Sequence, residues 1–161
     1  KLKIKSPKET GKTFAENAKL KANYFSSFSK LPVISDDSGL CIKALNGKPG
    51  IHSARWAKKH GSFPKAMKNI LIKMKNKKNR SAEFVCSLSL KLPKKKIICV
   101  IGKVKGSISN KILGNKGFGY DPIFIPHLKS ITFGQMKKKE KKTLDHRYVA
   151  FRKLKEKIKI S

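Results

Sequence analysis

Acidic residues are scarce in this chain, and several of them stand where they could do chemistry. Only 9 of the 161 residues are Asp or Glu, against 40 that are Lys or Arg. Asp36 and Asp37 are adjacent in SDDSG, directly after an apolar run, and Asp121 follows the glycine-rich segment GNKGFGY. Neighbouring carboxylates can bind a hard cation such as Mg²⁺ or act as a general base. These acids are therefore the first candidates for a functional site.

A lysine stands in the middle of a predicted apolar helix face. Thr13 and Glu16 form a capping box, which predicts that a helix starts there. Lys21 falls at the centre of its apolar face. Two interpretations stay open: the side chain extends along the apolar surface to solvent, or its ammonium points inward to a buried anion. The apolar residues of this face are Phe14, Ala18, Ala22 and Phe25.

A second cation lies at the predicted start of the last helix. Asp145 is expected to be the N-cap, because Asp accepts hydrogen bonds from the first backbone N–H groups. Arg147 shares one predicted face with four apolar residues, and a cation beside a helix N-terminus strengthens anion binding. Those four residues are Ala150, Phe151, Leu154 and Ile158.

The segment GNKGFGYDPIF combines flexible backbone with aromatic rings. Its glycines allow the backbone to approach a ligand closely, and Phe118 and Tyr120 could stack on and hydrogen-bond a base. An ordinary glycine loop is the alternative, because glycine spacing alone is weak evidence of a site. Together with the cations and carboxylates, the segment indicates a Mg²⁺-dependent enzyme acting on a nucleotide or another phosphate ester.

The elements that must position these residues are short strands and helices. Leu31–Ile34 is predicted to be a short buried strand ending at SDDSG, with a further strand at Leu40–Ile42. The site is then expected beyond the carboxyl end of the first strand. Because adjacent strand residues point to opposite faces, one of Asp36 and Asp37 should face the ligand while the other braces the loop. Alternation predicts a half-buried strand from Ala82 that pairs in a hairpin with a strand beginning at Ile97.

Composition limits the function classes. The net charge of +31 is typical of proteins that bind nucleic acid or an anionic membrane surface. However, 36 of the basic residues are lysines spread along the whole chain, which favours drift on solvated positions as the main cause. No apolar run approaches the ~20 residues of a membrane helix, so no membrane span is expected. Three scattered cysteines argue against a disulfide framework and favour a reduced, cytoplasmic protein.

Four stretches of the chain resemble the Ham1/ITPase family of non-canonical purine nucleoside triphosphate pyrophosphatases. They are ETGKTFAENAKLKA, SDDSGLCIKALNGKPGIHSARW, GFGYDPIF and EKKTLDHRYVAFRKL, in the order of the family. The resemblance implies an α/β fold: a mixed twisted sheet with helices on both faces and two lobes around a central cleft. It also implies a single pyrophosphatase domain over residues 1–161 and a homodimer.

The same resemblance implies roles for the phosphate side of the site. Asp37 matches the general base and a Mg²⁺ ligand, and Asp36 would support it. Glu9 matches the other metal carboxylate. Lys21 matches the phosphate-binding lysine, and Ser38 would lie beside the base at the substrate.

Roles in recognising the purine follow in the same way. Phe118 resembles the stacking aromatic of a base-binding loop, Lys141 matches the lysine of an EK pair, and His146 and Arg147 match the pair that reads the 6-keto group. The base-binding loop comprises Phe118, Gly119, Tyr120 and Asp121.

The implied reaction is Mg²⁺-dependent hydrolysis of ITP, dITP or XTP to the monophosphate and pyrophosphate. Compared with the family, the sequence begins after the first strand and the T/S-x-N-x-x-K loop, so the chain is expected to be N-terminally truncated. Two departures are expected to be tolerated: GQM at 134–136 in place of AEM, and Asp145 in place of Ser. A basic nucleic-acid-binding protein and an inactive remnant on the same scaffold remain the alternatives.

Overall fold

A computed structural model describes residues 4–159 of the chain, so the expected domain of residues 1–161 extends beyond the described part at both ends. The helices of that part are α1 (Phe14–Ser29), α2 (Ser53–Lys59), α3 (Phe63–Met74), α4 (Lys138–Leu144) and α5 (His146–Lys159). The strands are β1 (Val33–Ile42), β2 (Ser81–Lys91), β3 (Ile98–Ile108) and β4 (Phe124–Pro126). No helix among the described residues is long and apolar enough to span a membrane.

The strands form one sheet in the order β1-β2-β3-β4, and helices pack on both of its faces, which confirms the α/β prediction. Each neighbouring pair of described strands is antiparallel, whereas the expectation was a mixed sheet. The predicted hairpin is β2 and β3, in which Phe84 pairs with Val104. Within the described residues β1 is a terminal strand of the sheet, and β2 is its one neighbouring strand, although Cys41 also bridges Pro49 on the outer edge.

The prediction of two short strands around SDDSG is wrong, because β1 runs through the segment without a break. Asp37 pairs with Ser87 and Gly39 with Val85 in a continuous ladder. The expected burial of Leu31–Ile34 is also wrong, since Leu31 is 60% and Ile34 57% exposed. Both aspartates therefore lie within a strand and not beyond its end, and it is the partner strand β2 that holds this polar segment extended.

Helix α1 begins where the capping box predicts. The Thr13 side chain accepts a hydrogen bond from the Glu16 backbone N–H. The helix buries Ala18 and Ala22, and the Ala18 carbonyl accepts a hydrogen bond from Ser35 Oγ on β1. This contact places α1 on the face of the sheet to which the odd-numbered residues of β1 point.

Helix α5 covers the opposite face, and its start also agrees with the prediction. The Asp145 carboxylate accepts a hydrogen bond from the Arg147 N–H. Ala150 and Leu154 are buried against β2 and β3. Phe151 and Ile158, which were expected on the same buried face, are 54% and 45% exposed. The apolar stripe of α5 is thus narrower than the sequence predicts.

Helices α1 and α5 cover the two faces of the sheet, which explains why β2 is buried on both sides. Ser87 and Ser89 are fully buried, so the prediction of a half-buried strand is wrong. On the α5 side, the helix approaches the sheet at Gly102, where a Cβ atom would collide with the His146 carbonyl oxygen and the Ala150 nitrogen. This close approach fixes the height of α5, and of the residues at its start, above the sheet.

Candidate active site

Three charged residues form a cluster on the α1 face of the sheet. Lys21 Nζ lies 2.7 Å from Glu9 Oε1 and 3.2 Å from Asp37 Oδ1. The Lys21 side chain is 17% exposed and that of Asp37 8%. Of the two interpretations left open, the structure has the inward ammonium serving buried anions. Residues from the segment before α1, from α1 and from β1 therefore meet here, and they are the residues to which the resemblance assigns the phosphate side of the site.

Sequence reasoning missed two residues of this cluster. Asn17 is fully buried, donates from Nδ2 to Asp37 Oδ2 over 3.3 Å and accepts the Gly11 N–H at Oδ1 over 2.8 Å. Arg55, on α2, lies with NH2 3.9 Å from Glu9 Oε2. Asn17 was detectable, because it stands one helical turn before Lys21 and so on the same face. Arg55 gave no such signal.

The pKa values of the cluster move in directions that its geometry explains. Burial and the nearby Glu9 charge raise the pKa of Asp37, although the Lys21 ammonium pulls it down. Burial lowers the pKa of Lys21, but the hydrogen bond to Glu9 and the charges of both carboxylates outweigh it and raise the value. The two carboxylates thus hold the proton on Lys21 more firmly, and Asp37 binds a proton more readily than an ordinary aspartate does.

The donor set of this cluster suits a hard divalent cation. Glu9 and Asp37 offer carboxylate oxygens, and Glu9 is the more open, with a side chain 31% exposed. Within residues 4–159 no third His, Cys, Asp or Glu joins them to make a protein cage. Mg²⁺ is commonly held by one or two carboxylates together with water and substrate phosphates. Two carboxylates beside an ammonium fit that mode of binding.

On the opposite face of β1, Asp36 contacts Arg147 at the start of α5. Asp36 Oδ2 accepts from Arg147 Nε at 3.1 Å, and Arg147 NH2 lies 3.1 Å from the same oxygen. Ser38 Oγ donates to that oxygen over 3.0 Å. The prediction that the two aspartates point to opposite faces is confirmed, since Asp37 meets α1 and Asp36 meets α5. Neither braces a loop as expected, because both lie within β1.

A cavity of about 170 Å³ opens beside Arg147. It suits a flat ring and not a whole nucleotide, and the Phe118 ring, 53% exposed, forms part of its wall. Arg147 Cζ lies 4.8 Å and Lys141 Nζ 4.3 Å from the centre of that ring. The wall includes Ser38, Gly119, Tyr120, Phe118, His146 and Arg147.

His146 presents a neutral imidazole to this cavity. Its ring stacks on Phe84 with centroids 4.8 Å apart and an interplanar angle of 10°. Burial lowers the pKa of His146 to about 4, even though Asp145 acts in the opposite direction. A neutral imidazole can both donate and accept a hydrogen bond, which suits it to a keto purine edge.

Three residues to which the resemblance assigns base recognition make hydrogen bonds and ion pairs within the protein, namely Tyr120, Asp121 and Lys141. Asp121 is fully buried, and its Oδ2 accepts from the Phe118 N–H at 2.7 Å and lies 2.8 Å from Lys141 Nζ. Lys141 also lies 3.1 Å from Asp145 Oδ2. The Tyr120 hydroxyl donates to the Ser53 carbonyl over 2.8 Å. These bonds hold the loop that carries Phe118 in place.

The two groups of residues are separated by the thickness of one strand. Asp36 and Ser38 point towards the cavity, and Asp37 points towards Lys21 and Glu9. Within the described residues the outer edge of β1 carries no further strand, only an isolated bridge from Cys41 to Pro49. A ligand that crosses this strand can place a ring on one face and anionic groups on the other. The arrangement is that of an α/β nucleotide-binding protein.

Comparison with known proteins gives the family. The sequence profile of the Ham1 family matches residues 1–157, and the chain belongs to this family. It is 42% identical over 153 residues to a dITP/XTP pyrophosphatase of Streptomyces coelicolor, covering 94% of this chain and 76% of that protein. It is 42% identical over 161 residues to the dITP/XTP pyrophosphatase of Haemophilus influenzae, covering 98% and 83%. The solved Staphylococcus aureus Ham1 protein superposes with a TM-score of 0.91 at 38% identity, covering 98% and 81%.

Proposed function

We propose that this protein hydrolyses ITP, dITP and XTP to the corresponding monophosphate and pyrophosphate, and so removes non-canonical purines from the nucleotide pool. The observation that carries the proposal is that the two faces of β1 carry different groups. A ring-sized cavity lies on the Asp36 face, and the cluster of Lys21, Glu9 and Asp37 lies on the other face. The domain proposed to do this covers residues 1–161. The names of the relatives support dITP and XTP among these substrates.

In the proposed reaction a water oxygen attacks the α-phosphorus and the bond from that phosphorus to the bridging oxygen breaks. Pyrophosphate leaves with the electron pair, and the proton lost by the water passes to the Asp37 carboxylate. The raised pKa of Asp37 makes this carboxylate a stronger base than an exposed aspartate. Lys21 is the proposed phosphate contact, and Asn17 holds Asp37 in orientation.

Recognition of the base is assigned to the cavity side. Phe118 offers the stacking surface, while Arg147 and the neutral His146 can hydrogen-bond the 6-keto oxygen and the neighbouring ring nitrogen. Adenine carries an amino group at that position, so it would leave these groups unpaired and bind poorly. Gly119 and Ser38 line the cavity, and Tyr120, Asp121 and Lys141 are proposed to act by holding the Phe118 loop.

We assign Mg²⁺ binding to Glu9 and Asp37, with the substrate phosphates completing the coordination. Bound there, the cation would offset the charge of the triphosphate and polarise its phosphoryl oxygens. Lys21 would then share the same two carboxylates with the cation.

Pyrophosphate release from ITP, dITP, XTP, GTP and ATP, with Mg²⁺ and with a chelator, tests the proposal. We expect turnover of the first three far above GTP and ATP, loss with chelator, and loss in Asp37→Asn. Glu156→Gln is the matched control, because it neutralises an exposed acid on α5 away from the site. Absence of pyrophosphate release by the wild type would overturn the proposal. If IMP still bound, the result would favour the inactive remnant.

The remaining expectations are also proposals. A cytoplasmic location agrees with three free cysteines. A homodimer agrees with the exposed apolar side chains of Phe28, Leu31 and Ile34, which lie close together in sequence. Sedimentation equilibrium would decide the dimer, and a monomer at micromolar concentration would exclude it.

A further inference from the structure

We propose that Asp36 is a positioning residue that fixes the guanidinium of Arg147 at the wall of the purine cavity. This inference rests on the proposed function, because it concerns how that cavity holds its base. It differs from the role that the resemblance implied for Asp36, which was to support Asp37.

The contacts of Asp36 all lie on the cavity side. Its Oδ2 accepts from Arg147 Nε and lies 3.1 Å from NH2, so the planar guanidinium is held at two points by one oxygen. The two residues are 111 positions apart and come from β1 and α5. Ser38 donates to the same oxygen and thereby fixes the carboxylate that does the holding.

The orientation matters because Arg147 also lies over the aromatic ring. With Cζ 4.8 Å from the Phe118 centroid, the guanidinium and the ring form adjacent parts of one wall. The side chains of Arg147 and Asp36 are 43% and 41% exposed, so the long arginine could take up many rotamers without a partner. A charge-assisted, two-point contact selects one of them before the base arrives.

Nothing among the described contacts links Asp36 to the chemistry of Asp37. The hydrogen bonds of Asp37 come from Asn17 and Lys21, and the charges that shift its pKa are those of Lys21 and Glu9. The two carboxylates point to opposite faces of β1. Loss of Asp36 should therefore weaken base binding and leave the reacting end unchanged.

Steady-state kinetics with Asp36→Asn provide the main test. We expect KM for ITP to rise about tenfold while kcat stays within about twofold, as for an interaction equal in ground and transition states. The preference for ITP over ATP should fall, and the pH profile of kcat should not move. Asp36→Glu should recover part of the loss in KM. Glu83→Gln, which removes a half-buried carboxylate paired with Lys103 away from the cavity, should match the wild type.

A double-mutant cycle and a spectroscopic readout complete the test. Asp36→Asn should add little to the KM of Arg147→Ala, because the carboxylate acts through the arginine. In NMR spectra the Arg147 Nε–H should exchange slowly in the wild type and rapidly in Asp36→Asn. An unchanged KM and unchanged Nε–H exchange, or a shifted pH profile of kcat, would overturn the proposal. If the wild type neither hydrolyses ITP nor binds IMP, the proposed function fails, and Nε–H exchange alone decides whether Asp36 holds Arg147.

Discussion

The Lys21 ammonium and the Asp37 carboxylate meet across 3.2 Å, one from the centre of a helix face and the other from the terminal strand beneath it. The two residues are 16 positions apart, so their contact depends on how the helix packs on the strand. The contact requires α1 to lie flat on β1, which the buried Ala18 and Ala22 allow. Their small side chains bring helix and strand close enough for a lysine to reach an aspartate under it.

Removing this ammonium should abolish turnover. Lys21→Met keeps the apolar stem but removes the ammonium from between Glu9 and Asp37. It also removes the proposed phosphate contact. We expect kcat/KM for ITP to fall by at least about 100-fold, the scale seen when a preorganised charge donor is lost. Lys19→Met, an exposed lysine on the same helix, is the control. Equal loss in both variants would contradict the role of Lys21.

Replacing Asp37 should stabilise the protein near neutral pH while it inactivates it. A carboxyl whose pKa is higher in the folded than in the unfolded state favours folding below its ordinary value of 3.8, and this contribution disappears as pH rises through the folded pKa. Asp37→Asn should therefore have the higher Tm at pH 7.5. The difference should vanish below pH 3.8. Glu156→Gln should show no such crossover, and a lower Tm for Asp37→Asn at pH 7.5 would contradict the prediction.

The buried His146 should make the protein sensitive to mild acid. Its pKa lies near 4 in the folded state against an ordinary value of 6.5, so its contribution to stability is complete above pH 6.5 and is lost as pH falls towards 4. At about 1.4 kcal/mol per pKa unit, the loss is roughly 3 kcal/mol. His146→Phe keeps a ring against Phe84 and should flatten the dependence of Tm on pH. The exposed His127→Gln should retain it, and parallel curves for all three proteins would refute this.

The aromatic wall should matter for binding more than for chemistry. Phe118→Ala removes the stacking surface, which is worth about 1–3 kcal/mol per base, so KM for ITP should rise about tenfold or more. The effect on kcat should be smaller, because the ring lies on the other face of β1 from Asp37. Ile72→Ala, which truncates an apolar side chain 72% exposed on α3, is the control. A fall in kcat with KM unchanged would contradict a stacking role.

The charge of +31 should produce non-specific binding to nucleic acid that is separate from catalysis. Fluorescence anisotropy should show a labelled single-stranded DNA bound at low salt and released steeply as salt increases, because binding releases condensed counterions. Asp37→Asn should bind the DNA as the wild type does. Binding that survives high salt, or that prefers one sequence, would instead favour the nucleic-acid-binding alternative.

Local signals predicted the parts of the fold that depend on local chemistry. The capping box placed the start of α1, Asp145 placed the start of α5, and alternation placed the β2–β3 hairpin. The inward direction of Lys21 was one of two interpretations from helix periodicity. For the two helix starts and the hairpin, the deciding interaction lies within one helical turn or one hairpin, whereas the direction of Lys21 is decided by its contacts with Glu9 and Asp37.

Long-range pairing explains what the sequence did not predict. SDDSG has the composition of a turn, and only the ladder to β2 shows it to be the middle of a strand. The bonds from Arg147 to Asp36 and from Tyr120 to Ser53 span 111 and 67 positions, beyond the range of any local pattern. The buried serines of β2 required knowledge that helices cover both faces.

Gly102 sets the distance between α5 and the sheet. Its lack of a side chain lets the backbone of α5 rest directly on β3, so a single methyl group there would push the helix outward. His146 and Arg147 would move with it, and the slot for the purine would widen although every residue lining it kept its identity. The proposed selectivity for the purine would therefore depend in part on a residue with no functional group of its own.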